Sequence, residues 1–352
     1  MEVETFMMLY NQSIEKKELF SFKVLLNQLN VLTPEIKGKQ QVPYSSEQVN
    51  LIKNCQNSIV RNFCNNPVIK KNPDINPLVL TKLANFFKSC DFSEQKLAQC
   101  LFLIHAAKTD CHLLEDIKAR ELFVSYWEKF DTITIKTNYD SVFQEFFSIF
   151  KTLFQSRNFI DIINKSIDEI VVSKPGKDTY NFNNLKLVFF ESEFPSVNGY
   201  SGKDCIYLNA KNVLNSFELP LENEKKLLVA KLNFISLVLH EASHVLLRFK
   251  LNDLNLSSPF LDDRVKKNEV KKNVKECGFE TEKKYFKGCI AWNISAIHKI
   301  DFTYCEGFLN NILNDKKVDF EIEKANVEIY NDELFHSSGF SIVFESGFNF
   351  FF

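Results

Sequence analysis

Apolar residues recur at helical spacing through the first part of the chain. One predicted helix follows Ser93, a residue suited to cap it. A second begins at Asp140 or Ser141 and carries an apolar stripe made of Phe143, Phe146, Phe147, Phe150 and Phe154. This pattern predicts a helical region over residues 1–172, in which no motif indicates a chemical function.

The pattern changes after residue 173. Residues 185–190 (Leu-Lys-Leu-Val-Phe-Phe) and Cys205–Asn209 are short apolar runs typical of strands, and residues 198–202 between them are expected to form a loop. A long helix is predicted from Glu222 to Phe249, because this stretch contains neither proline nor glycine. The predicted fold class is therefore α+β and predominantly helical, with a helical N-terminal region followed by a domain over residues 173–352 that combines a small sheet with one long helix.

The long helix contains the pentapeptide His240-Glu241-Ala242-Ser243-His244. Residues four apart on an α-helix differ by about 40° in azimuth and about 6 Å in height, so both histidines project from one face. Their nitrogens can then bind one zinc ion at about 2.0–2.1 Å, and Glu241 can act as general base towards a zinc-activated water. The alternative is that the histidines are two hydrogen-bonded polar residues of a buried helix.

Catalytic zinc usually has three protein ligands, so a third is needed. The acidic segment from Glu276 to Glu282 is the expected source, with Glu276 as the ligand and Glu282 as the alternative. Glu280 would share a helix face with Glu276 and orient a ligand histidine from behind. The alternative is a solvated helix start, where acidic residues are favoured.

Arg248 lies one turn beyond His244 and is also expected on the metal side of the helix. There it could pair with Glu276 or Glu282, or receive a substrate carboxylate. The alternative is a cation at the helix end that faces solvent.

The pentapeptide followed by a glutamate on a later helix resembles the gluzincin family of zinc metallopeptidases. In that family the third ligand begins an acidic helix that a Phe-Gly pair follows closely; here Glu276 and Glu280 precede residues 286–288 (Phe-Lys-Gly). The resemblance implies that the second domain is zincin-like. It also implies that Cys205–Asn209 is the edge strand that aligns substrate.

Gluzincins place donors that stabilise the transition state downstream of the third ligand. The resemblance therefore makes His298, Tyr285 and Tyr304 candidates for this role, although a structural position is the favoured interpretation of each. Choosing among them requires the tertiary structure.

Composition limits the partners of the protein. Lys and Arg number 43 and Asp and Glu 45, so a net charge of −2 gives no general reason to expect nucleic acid or an anionic membrane. The basic run over residues 264–275 is expected to be a solvated surface. No apolar run reaches the roughly 20 residues of a membrane span, and no signal peptide is recognisable, so a cytoplasmic location is expected.

Nine cysteines without a CxxC pair argue against a disulfide framework and against a four-cysteine zinc site. Cys100, His105, Cys111 and His112 follow no spacing known for metal sites and are expected to pack in a core.

The sequence thus predicts a metallopeptidase that uses one zinc ion, with a peptide or protein as its substrate. Two alternatives remain: an inactive zincin-like or helical scaffold that binds other proteins, and a zinc hydrolase that cleaves a non-peptide bond. The sequence does not determine the oligomeric state.

Overall fold

A computed structural model describes nine stretches of the chain: residues 44–65, 82–83, 85–87, 89, 91–106, 117–171, 179–194, 197–256 and 276–329. The chain divides into two compact units, Met1–Ile133 and Thr134–Phe352. The basic run over residues 264–275 lies outside the described residues, as do Cys111 and His112.

The first unit contains three described helices: α1 (Ser46–Asn65), α2 (Glu94–Ala106) and α3 (Ile117–Lys129). The predicted capping of α2 is confirmed, because the Ser93 hydroxyl accepts a hydrogen bond from the backbone N–H of Lys96 at 3.2 Å. Helix α2 packs against both other helices through a face that is almost entirely buried.

The second unit combines helices with a small sheet. Its elements in chain order are β1 (Thr134–Ile135), α4 (Ser141–Leu153), α5 (Arg157–Ile170), β2 (Lys186–Glu191), β3 (Gly199–Ser201), β4 (Cys205–Asn209), α6 (Ala210–Leu214), α7 (Asn223–Leu251), α8 (Cys277–Phe286), α9 (Trp292–His298), α10 (Phe302–Leu313) and α11 (Ile322–Ala325). The side chain of Asp140 caps α4 by accepting hydrogen bonds from the backbone N–H groups of Val142 and Phe143. The predominantly helical α+β class is confirmed.

The sheet corrects two expectations about the segment ahead of α7. Its strand order is β1-β2-β4-β3, with β2 and β4 parallel and the other two pairs antiparallel. Strand β4 (Cys205–Asn209) was expected at an edge but lies between β2 and β3. The edge on this side of the sheet is β3, in the segment expected to be a loop, because a tight connection at residues 203–204 folds Gly199–Ser201 back onto β4.

Helix α7 is the centre of the second unit and runs two residues beyond the predicted end at Phe249. From Leu232 to Arg248 nearly every side chain is buried, and Phe234 packs against Phe146 of α4 and Phe189 of β2 with ring centroids 4.8 and 6.3 Å away. The unit begins at Thr134 rather than at residue 173, because α4 and α5 pack directly against α7. Within the described residues, no helix combines the length and the apolar character that spanning a membrane requires.

Candidate metal centre

Two helices of the second unit bring three potential metal ligands together. His240 and His244 project from the same side of α7, and Glu276 stands immediately before α8. The Oε1 atom of Glu276 lies 2.7 Å from Nε2 of His244 and 3.8 Å from Nε2 of His240. One ligand atom from each side chain falls within 4.8 Å of the other two, so these three residues, here called the metal group, could hold a metal ion.

Glu276 uses its two carboxylate oxygens differently. Its backbone is extended (φ −75°, ψ 117°), and Oε2 accepts a hydrogen bond of 2.6 Å from the backbone N–H of Phe279, which makes Glu276 the N-cap of α8. Its Oε1 is buried and lies 2.7 Å from Nε2 of His244, but forms no hydrogen bond of regular geometry. A buried carboxylate oxygen without a hydrogen bond is costly, and a metal ion would satisfy it.

The outward nitrogens of both histidines meet other polar side chains. Nδ1 of His240 lies 2.7 Å from Oε1 of Glu282, and Nδ1 of His244 lies 3.2 Å from Sγ of Cys277. Metal-binding histidines typically engage their second nitrogen in this way, which fixes the ring and its tautomer. Both Nε2 atoms are thereby turned towards Oε1 of Glu276.

The charges around the metal group favour a cation. Burial alone would lower the pKa of His240, but the carboxylates of Glu276, Glu282 and Glu241 outweigh burial and raise this pKa to about 10. Burial would raise the pKa of Glu276, but His240 and His244 lower it to about 2. Burial, together with Glu276 and Glu241, raises the pKa of Glu282 despite its hydrogen bond with His240. Three acidic groups thus crowd two imidazoles, and a divalent cation would balance them.

Glu241 is fully buried between the metal group and the edge strand. A β-carbon at Gly199 would lie 3.4 Å from Oε1 of Glu241, and only 2.8 Å from both the carbonyl oxygen of Tyr207 and a methyl carbon of Leu208. Glycine is therefore needed at position 199, because any larger residue would push β3 away from β4. The carboxylate of Glu241 therefore lies close to the backbone of β3.

The structure assigns separate positions to the acidic residues of α8. Glu276 and Glu282, the preferred and alternative ligands, both reach the cluster, but from different sides: Glu276 faces both Nε2 atoms and Glu282 faces Nδ1 of His240. Glu280 was expected to orient a ligand histidine from behind, but its ion pair is with a lysine and not with a histidine. The side chain of Glu280 is 31% exposed and pairs with Lys283 at 3.3 Å. Glu276 and Glu280 do not share a helix face, because Glu276 is the extended N-cap residue and Glu280 lies within the helix.

Arg248 is buried and does not face solvent. Its guanidinium donates hydrogen bonds to the carbonyl oxygen of Leu256 at 2.8 Å, and to the carbonyl oxygen and hydroxyl of Ser201 at 2.7 and 2.9 Å. The expected pairing with Glu276 or Glu282 is replaced by these bonds, because the side chain extends towards β3. Arg248 therefore holds the edge strand against α7.

Two of the three downstream candidates for stabilising a transition state have packing or hydrogen-bond contacts. Tyr285 packs edge-on against Phe159 and Phe286, the hydroxyl of Tyr304 accepts a hydrogen bond from the backbone N–H of Glu321, and His298 is exposed at the end of α9. These contacts support structural positions for Tyr285 and Tyr304.

In the first unit, Cys100 and His105 are buried on α2, as expected for core residues. Among the described residues, the metal group is the one cluster of histidine, cysteine or acidic side chains with metal-binding geometry.

Sequence reasoning overlooked Cys277 and Gly278. Cys277 contacts His244, and a β-carbon at Gly278 would collide with the ring of His240. A signal existed, since an isolated glycine inside a helical pattern often has a packing or functional reason.

Comparison of the chain with models of protein families, with curated proteins and with solved structures gives no match. The chemistry of the site is therefore inferred from its geometry.

Proposed function

We propose that this protein is a zinc-dependent metallopeptidase in which Glu241 is the general base. The observation that carries the proposal is the orientation of the metal group: Oε1 of Glu276, buried and without a hydrogen bond, lies near both Nε2 atoms of His240 and His244. Two histidines and one glutamate form a ligand set typical of catalytic zinc. When bound, zinc would lower the pKa of a water molecule and polarise a substrate carbonyl.

The residues of the chain would have distinct parts in this reaction. His240, His244 and Glu276 hold the metal. Glu241 follows His240 directly on α7, so its carboxylate can accept a proton from the attacking water and deliver it to the leaving amine. Its burial keeps the carboxylate away from bulk solvent, which strengthens its electrostatic effect on the reacting groups.

The neighbouring edge strand supports a peptide as the substrate. The backbone N–H of Asn209 bonds to the carbonyl of Asn198, and that of Gly202 bonds to the carbonyl of Cys205. Since antiparallel pairing alternates, the backbone N–H and carbonyl of Gly199 should point away from β4, at the outer side of β3. Pairing of an extended peptide with Gly199, beside Glu241, would require the buried strand β3 to become accessible.

The burial of the cluster favours a second candidate, a structural metal site that fastens α8 to α7. Structural zinc sites normally have four protein ligands, whereas the described residues contribute three. Three protein ligands are the number that catalytic zinc usually has, with water as the fourth, and this number together with the placement of Glu241 favours the enzyme.

The decisive experiment measures metal content and peptide cleavage for the wild-type protein and for Glu241→Gln. The proposal predicts one zinc per chain in both proteins, with cleavage of a peptide library reduced at least about 100-fold in the variant. Glu280→Gln is the matched control and should cleave like wild type. A wild-type protein that remains metal-free in zinc-containing medium would overturn the metal site, and equal cleavage by Glu241→Gln would overturn the role of Glu241.

A further inference from the structure

The two histidines of the metal group are held from behind by chemically different groups. His240 meets the carboxylate of Glu282 at 2.7 Å, whereas Nδ1 of His244 lies 3.2 Å from the sulfur of Cys277. Nε2 of His244 faces the other way, 2.7 Å from Oε1 of Glu276. A neutral imidazole carries one proton, so a lone pair offered to a metal at Nε2 requires the proton at Nδ1. The sulfur of Cys277 would then accept that N–H.

The position of Cys277 is fixed by the residue before it and by a hydrogen bond to its own carbonyl. Cys277 is fully buried and is the first residue of α8, directly after the cap at Glu276. Its carbonyl accepts a hydrogen bond from the hydroxyl of Thr281 at 2.8 Å, and that hydroxyl lies 2.8 Å from the hydroxyl of Ser243 on α7. Ser243 immediately precedes His244, so the ring and the sulfur are positioned through one short connection between the helices.

We propose that Cys277 is a positioning residue for His244: its sulfur accepts the Nδ1–H and holds Nε2 towards the metal. This inference rests on the proposed metal site but not on peptidase activity. Cys277 thus supports Nδ1 of His244 in the way that Glu282 supports Nδ1 of His240. A sulfur is a weaker acceptor than a carboxylate, so the two ligands differ in how strongly they are supported.

The test compares Cys277→Ala and Cys277→Ser with Cys305→Ala, a control at another fully buried cysteine of the same unit. Zinc dissociation constants are measured by competition with a chelator, and circular dichroism with thermal unfolding reports the fold. Cys277→Ala should weaken zinc binding about 10–100-fold, as is typical when a group behind a ligand histidine is lost. Cys277→Ser should recover part of that loss, because a hydroxyl oxygen can accept the same N–H. Cys305→Ala should bind zinc like wild type.

A second measurement reports the position of the ring proton directly. Nitrogen-15 NMR of histidine-labelled, zinc-loaded wild-type protein identifies which ring nitrogen of His244 carries the proton, with His244→Gln used to assign the signal. The proposal predicts a proton on Nδ1 that exchanges slowly with solvent. Since zinc at Nε2 and burial of the ring also favour this proton, exchange that is equally slow in Cys277→Ala would count against the role of Cys277, whereas faster exchange would support it.

The outcomes separate this inference from the proposed function. Wild-type zinc affinity in Cys277→Ala would overturn the role of Cys277 and leave the metal site intact. A proton on Nε2 of His244 in the zinc-loaded protein would overturn both, because that nitrogen could not then bind zinc. If the wild-type protein binds no zinc, both are overturned. Zinc binding that depends on Cys277 in a protein without peptidase activity would support the role of Cys277 and count against the peptidase.

Discussion

The backbone of Gly278 lies directly against the imidazole ring of His240. A β-carbon at Gly278 would be 2.4 Å from Cγ and 2.5 Å from both Cδ2 and Cε1 of that ring. The first turn of α8 therefore serves as a flat support for a ligand histidine of α7. The edge of this ring is also contacted by Phe279, whose ring centroid is 4.9 Å away. The orientation of His240 depends on how closely the two helices approach.

Replacing Gly278 with alanine should disturb the metal group. Since real β-carbons do not approach other atoms as closely as 2.4 Å, the ring or the helix must move, and metal sites tolerate shifts of only about 0.5 Å. We expect zinc affinity to fall at least about tenfold and the free energy of unfolding to fall by about 1–3 kcal/mol. Chelator competition and urea unfolding measure these two quantities.

Gly307→Ala is the matched control. Gly307 is an exposed glycine in α10, and a β-carbon there would meet nothing within 4 Å. This variant should gain about 0.5–1 kcal/mol in the free energy of unfolding, because alanine favours helix, and should bind zinc like wild type. Equal zinc affinity in both variants would contradict the supporting role of Gly278.

The three glutamates of the α8 segment should respond differently to replacement by glutamine. Glu276→Gln should cause the largest loss of zinc affinity, because it removes the charged ligand. Glu282→Gln should lower zinc affinity about 10–100-fold, because an amide supports His240 less well than a carboxylate does. Glu280→Gln should change little, since that side chain pairs with Lys283. Isothermal titration calorimetry at one pH measures the zinc affinity of each variant. A larger loss of affinity for Glu282→Gln than for Glu276→Gln would indicate that Glu282, and not Glu276, is the ligand.

Loss of the Arg248 side chain should loosen the edge strand. Arg248→Met would leave the carbonyl oxygens of Ser201 and Leu256 without the guanidinium, at a cost of about 1–3 kcal/mol in the free energy of unfolding. Hydrogen exchange at Gly202, next to Ser201, should become faster. Lys225→Met removes an exposed pair with Glu222 and should change stability by less than about 1 kcal/mol. Comparable effects in the two variants would contradict a specific role for Arg248.

Zinc binding should release protons and strengthen with pH. The pKa of His240 is raised to about 10 in the metal-free protein, so the folded state binds a proton there that the unfolded chain would lose near pH 6.5. The stability from this proton is fully present below pH 6.5 and is lost as pH rises through about 10. Zinc requires the neutral ring, so between pH 6.5 and 8.5 the affinity should rise about tenfold per pH unit, with about one proton released. Titration calorimetry in buffers of different ionisation enthalpy measures the proton count. An affinity independent of pH would contradict the raised pKa.

The amino-acid sequence by itself determined the local features of this protein. The stretch around His240 and His244 lacks glycine and proline, and the spacing of four residues places both rings on one side of a helix whatever it packs against. The caps at Ser93 and Asp140 were equally readable, because an N-cap bonds to backbone groups two or three residues away. Such contacts depend only on neighbours in the chain.

Only the tertiary structure decided how the distant parts of the site meet. Glu276 and Glu282 were both plausible ligands, and their separate positions follow from where α8 begins and how it docks on α7. The contact of Cys277 with His244 has the same origin. The edge position of β3 follows from a hairpin whose apolar pattern is too short to read. In each case the deciding distances join residues far apart in the chain, and packing in three dimensions sets those distances.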